Sequence, residues 1–134
     1  MSPYLFVMAT IVSVIPILFI FKITVERMKD NPSLIQKAQI QFFLWVAIFE
    51  IIPIILIIYG MANIESVSRI EDLYMPGIII LLVSGFAALF IFLQRTFDVE
   101  EELKETMNMF AMISLAMTNA IPIISIVSLF LMMP

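Results

Sequence analysis

The chain contains neither cysteine nor histidine. These absences exclude disulfide bonding, thiol catalysis, haem ligation by histidine and nearly all zinc chemistry. Charge is scarce as well: 13% of residues are Asp, Glu, Lys or Arg, against 63% hydrophobic. Soluble domains are roughly 45–50% apolar and about a quarter charged, so a soluble globular fold is excluded. There are only three glycines in 134 residues, which leaves little of the small-residue packing that brings membrane helices close together.

What is present is long apolar sequence. Four segments, near 3–21, 40–62, 74–93 and 107–133, each reach the ~20 residues needed to cross a bilayer as a helix. The expected fold is therefore all-α and integral to the membrane, with four transmembrane helices and three short connections. No soluble catalytic domain fits in the remainder, so any activity is exerted in the bilayer or belongs to a complex. The first segment has no basic flank before it and exceeds a signal-peptide core, which reads as a retained helix.

Orientation follows from the basic residues. Lys22, Arg27, Lys29 and Lys37 lie around the first connection, and Arg95 and Lys104 around the third; the middle connection has Arg69 alone. Six of seven basic residues thus share one side, which the positive-inside rule assigns to the cytoplasm, with both chain ends on the outer side. The third connection also carries Asp98, Glu100, Glu101, Glu102 and Glu105, which make it net negative, and the run Glu100-Glu101-Glu102 is expected to form a solvated helix start, where negative charge suits the helix dipole.

One carboxyl group interrupts the apolar pattern. Glu50 lies in the uncharged run from Phe42 to Ile58, roughly 13 Å above Gln41 at 1.5 Å per helical residue, near the middle of a ~30 Å hydrocarbon core. An ionised carboxylate there costs several kcal/mol unless a proton or an ion neutralises it, which makes such a residue a functional candidate by default.

The chain also repeats itself. A shift of 69 positions places Ala47-Ile48-Phe49-Glu50-Ile51-Ile52-Pro53-Ile54-Ile55-Leu56-Ile57 on Ala116-Met117-Thr118-Asn119-Ala120-Ile121-Pro122-Ile123-Ile124-Ser125-Ile126 without a gap. Shared isoleucines mean little among apolar helices; the proline three residues after a polar residue means more. The repeat predicts two tandem helical hairpins running in the same direction, unlike an inverted-repeat transporter. The first spans 1–62, with helices at about 3–22 and 38–62. An outer connection occupies 63–74, and the second hairpin spans 75–134, with helices at about 75–95 and 105–133. Asn119 then stands in the second copy where Glu50 stands in the first, able to hydrogen bond but not to titrate.

Pro53 and Pro122 each remove a backbone donor inside a helix. For Pro53 the carbonyl left over is that of Phe49, beside Glu50. Two readings follow: the prolines merely kink their helices, or the freed carbonyl accepts a hydrogen bond from a protonated Glu50. Trp45 is expected to be a packing residue, and Tyr4, Tyr59 and Tyr74 to form an interfacial belt on the outer side. The methionines concentrated in the last helix serve flexible packing, since no soft metal site forms without Cys or His partners.

Thr24-Val25-Glu26, then Pro32, Val46-Ala47, Glu50, Pro53 and Ile54 keep a spacing that resembles subunit c, the proteolipid of rotary ATP synthases. Two hairpins in one chain resemble the duplicated proteolipids of V-type ATPases, with one carboxylate lost. The resemblance covers about 20–62 well, the fourth helix moderately, and the first and third poorly. It implies that Glu50 is the proton-binding carboxylate of an oligomeric ring, supported by Ala47, Phe49 and Pro53. Asn119 and Pro122 would form a silent second site. Asp30, Asn31 and Pro32 would form the cytoplasmic contact loop.

The implied partners are membrane lipids, further copies of the same chain and a stator-like subunit bearing an intramembrane arginine; nucleic acid is not among them. No cofactor or metal is implied. The proton is the expected ion over sodium, because Ile51 follows Glu50 and the first helix lacks the Gln that sodium-carrying members add. Thr10 and Ser13 remain as the oxygen groups nearest in depth. The chain departs from the family pattern in three places: Ile11 to Leu18 has no glycine, Asp30-Asn31-Pro32 replaces Arg-Gln-Pro, and the carboxylate is in the second helix instead of the last. Two other readings therefore stand beside the rotor subunit: a non-rotary oligomeric channel or transporter subunit, and a structural or assembly protein in which Glu50 is a relic.

Overall fold

The computed structural model describes residues 3–96 and 104–134. The acidic run at 100–102, expected to start a helix, lies outside the described residues. Among the described residues five α-helices form: α1 Tyr4–Asp30, α2 Ile35–Phe49, α3 Ile51–Ala62, α4 Tyr74–Thr96 and α5 Lys104–Leu131. Because α2 and α3 are separated only by Glu50, they make one membrane span, and the chain has four spans of membrane length and composition. It is an all-α, multi-pass integral membrane protein.

α1 runs to Asp30, two turns beyond the 22 expected from hydropathy. Lys22, Glu26, Arg27 and Lys29 ended the apolar pattern but not the helix, since charged residues outside the hydrocarbon core are good helix formers. The turn that follows is tight. The Asn31 amide donates to the Arg27 carbonyl at 3.0 Å, Leu34 donates back to the Asn31 carbonyl at 2.9 Å, and the Ser33 hydroxyl donates to Asn31 Oδ1 at 2.6 Å. A 3-10 turn, Pro32–Leu34, then leads into α2. Arg27 also donates across the hairpin to Gln41 Oε1.

The bundle is built around α1, which packs against α2, α3, α4 and α5, while α4 and α5 pack on each other. At the end of the bundle where the chain passes from α3 to α4, labelled outer for reference, the connecting segment is tied down: the Val67 amide donates to the Met132 carbonyl at 2.8 Å, and Leu73 of the 3-10 turn Ile70–Leu73 is buried. Close approach of α3 to α1 depends on Gly60. A Cβ there would stand 2.8 Å from Leu5 Cδ2 and 2.9 Å from Phe6 Cζ.

Two apolar clusters hold the bundle. The inner one contains Val14, Ile17, Phe21, Val46, Ala87, Ile91 and Met107, with Phe110 stacked on Phe21 at 5.5 Å between centroids and edge-on to Phe42 at 4.9 Å. The outer one joins Phe6, Val7, Ile57, Ile80, Ile121 and Leu129. Helices in lipid gain little from hydrophobic transfer on associating, so this interlocking is chiefly a dispersion and fit contribution. Trp45 lies outside both clusters. It is half exposed on the lipid-facing side and packs against the Phe49 ring at 6.1 Å.

Candidate functional site

Between the two apolar clusters every span contributes polar side chains. On α1 the sequence passes from Phe6 and Ala9 of the outer cluster through Thr10 and Ser13 to Val14 and Ile17 of the inner one. Glu50 falls between Val46 and Ile57, Ser84 between Ile80 and Ala87, and Ser114, Thr118 and Asn119 between Ala111 and Ile121. A polar layer therefore crosses the bundle at mid-depth, flanked by apolar packing on both sides.

Glu50 is partly buried in this layer, and the Ser13 hydroxyl donates to its Oε1 at 2.7 Å. Ser13 itself is 1% exposed. Among the described residues it is the one side chain that hydrogen bonds to Glu50, and none forms an ion pair with it. The local backbone explains where the carboxyl sits. Pro53 has no N–H for the Phe49 carbonyl, so regular helix stops at Phe49 and resumes at Ile51. The flanking bonds survive, from the Glu50 amide to the Val46 carbonyl at 2.9 Å and from Ile54 to the Glu50 carbonyl at 3.0 Å.

The second half carries an equivalent arrangement. The Ser84 hydroxyl of α4 donates to Asn119 Oδ1 of α5, and Asn119 Nδ2 donates to the Leu115 carbonyl at 3.1 Å. Burial repeats in register: Ala47 and Ala116 are exposed, Glu50 and Asn119 are intermediate, Pro53 and Pro122 are buried, and Ile54 and Ile123 are exposed. Unlike its counterpart, Pro122 sits inside an unbroken helix.

Of the remaining sequence candidates, Phe49 is 40% exposed beside Glu50, and Pro53 packs inward. Asp30 and Asn31 are exposed at the end of the bundle where α1 turns into α2, far along α1 from the polar layer; Pro32 begins the turn there. Thr10 does not serve Glu50. Its hydroxyl lies 3.0 Å from both the Phe6 carbonyl and Ser125 Oγ, stitching α1 to α5. The hydroxyl partners Ser13 and Ser84 are what sequence reasoning underused. Ser13 figured only as a spare oxygen, and Ser84 was not singled out as a partner for Asn119. No group of three or more His, Cys, Asp or Glu among the described residues could hold a metal ion. No family model, curated protein or solved structure matches the chain.

Proposed function

We propose that the chain is a subunit c-like proteolipid of a proton-translocating complex, built as two tandem hairpins, with Glu50 as the proton-binding carboxylate. The observation that carries the reading is the Ser13–Glu50 pair in a mid-depth polar layer, matched by Ser84–Asn119 in the second half. No cation of the described chain faces Glu50. Charge on it must be balanced by a proton or by a cation from another chain, which is the alternation a carrier needs. Sodium is the poorer fit, because a hard cation wants several oxygens and Ser13 is, among the described residues, the only side-chain hydroxyl engaged with the carboxyl. In this reading both termini and the segment after α3 lie on the outer side, the turns after α1 and α4 are cytoplasmic, and a stator-like subunit supplies the arginine that discharges Glu50.

One feature favours a second reading, a non-rotary channel or transporter subunit. α1 packs against all the other described helices and has no glycine, and the face it leaves open carries the bulky side chains Met8, Ile11, Ile15, Phe19 and Ile23, which keep neighbouring copies from the close backbone approach of a tight inner ring.

A hydrophobic carbodiimide, which modifies protonated carboxyls accessible from lipid, tests the carrier. Labelling of Glu50 is expected at pH 6 in detergent and in liposomes; a Glu50 left unmodified in both would remove the proton-carrier reading. Native mass then separates the two readings. A closed ring of many copies is the rotor, and a monomer or dimer ends that idea while leaving the channel.

A further inference from the structure

We propose that the groove between α1 and α4 is a binding site for an anionic phospholipid, with its headgroup at Lys22 and an acyl chain along the apolar walls. The groove has a volume of about 270 Å³ and is lined by Ile15, Leu18, Phe19 and Lys22 of α1 and by Phe86 and Phe90 of α4. The α1 residues recur at helical spacing on one face, and the two phenylalanines are one turn apart on the facing helix. Every lining residue but one is hydrophobic, and the exception stands at one end.

That end falls at the right depth. Lys22 is nine residues along α1 from Ser13, roughly 13 Å at 1.5 Å per residue, which brings it from the mid-depth layer close to the edge of a ~30 Å hydrocarbon core. There an ammonium group reaches the headgroup region while its stem lies on the apolar wall. Lys22 is exposed and forms no ion pair among the described residues. Glu26, one turn further toward the aqueous side, is exposed and likewise unpaired there. A lone cation closing an apolar groove complements a phosphate ester attached to a hydrocarbon chain. A zwitterionic lipid fills the same groove but gains less from the lysine. This inference stands apart from the proton-carrier reading, since it uses neither Glu50 nor any transport step.

The test is native mass spectrometry of the full chain released from detergent, after equilibration with phosphatidylglycerol and phosphatidylcholine of identical acyl chains. Retention of phosphatidylglycerol is expected to exceed that of phosphatidylcholine about fivefold, the worth of one basic residue at a headgroup. Lys22→Gln should abolish the preference and Lys22→Arg should keep it. Ile15→Trp, which fills the groove and leaves the charge, should lower retention of both lipids. The proposal is overturned by equal retention in the unaltered chain, or by an unchanged preference in Lys22→Gln. Loss of the preference in Lys37→Gln as well would also overturn it, because that reports diffuse surface charge. So would displacement of the lipid by glycerol phosphate as effective as that by phosphatidylglycerol, which would mean a headgroup-only anion site.

Discussion

The two halves of the polar layer share a plan and differ in one functional group. In the first, Ser13 of α1 donates to a carboxyl whose second oxygen has no partner within the described chain, and the helix is interrupted at that residue. In the second, Ser84 of α4 donates to an amide that itself donates to the Leu115 carbonyl, and the helix runs through. Asn119 is thus satisfied by its own bundle, while Glu50 has hydrogen-bonding and charge requirements that the described residues leave open. A residue such as Asn119 glues helices; in the proposed function Glu50 exchanges a proton with its surroundings. Under the proposed function the first half carries the site and the second supports it.

The largest expected effect comes from removing that difference. Glu50→Gln should abolish proton flux in the complex or membranes that contain the chain. Asn119→Ala should leave flux intact and lower stability only by about 0.6–2 kcal/mol, the worth of interhelical hydrogen bonds in bilayers. Equal flux from both variants would erase the functional distinction between the halves.

A smaller effect is expected from the two serines. Ser13→Ala withdraws the one side-chain donor to Glu50 among the described residues; if Glu50 alternates its charge as proposed, that bond is of the 1.5–3 kcal/mol class, so flux should fall about tenfold or more while Glu50 remains present. Ser84→Ala withdraws a bond to a neutral amide; thermal unfolding in detergent should register about 0.6 kcal/mol, with flux unchanged. If Ser84→Ala slows flux as much as Ser13→Ala, both halves take part.

The smallest effect concerns packing. Gly60→Ala drives a methyl group into the Phe6 ring, which is fully buried and has nowhere to go. The overpacking outweighs the gain in helix propensity, so a loss of about 1 kcal/mol is expected. Gly85→Ala meets nothing within 4 Å and should be neutral or slightly stabilising. Unfolding midpoints of the two variants side by side would show whether α3 seats on α1 as closely as its glycine indicates.

Much of this was legible in residue order. Hydropathy alone finds the four spans, because a ~20-residue apolar run has no alternative to a helix in lipid, where every backbone group must be satisfied internally. Glu50 stood out because charge at that depth is costly, and the shift of 69 positions tied it to Asn119 before any geometry. Less legible was the end of α1, since charged residues that leave the membrane do not thereby leave the helix. Trp45 also escaped: a large ring in an apolar span reads alike whether it faces a neighbour or lipid.

The sequence by itself determined the medium, the number of spans and the depth of the one intramembrane carboxyl, all of which follow from the transfer cost of single residues along one chain. Only the tertiary structure decided which hydroxyl meets which polar group. It sent Ser13 to Glu50, Ser84 to Asn119 and Thr10 to Ser125, and it gathered Lys22 and two phenylalanines of α4 around one groove. Those pairings depend on the rotation of each helix about its axis and on which helices are neighbours. In an apolar medium that rotation is set by side-chain fit across the whole bundle, which no single segment encodes.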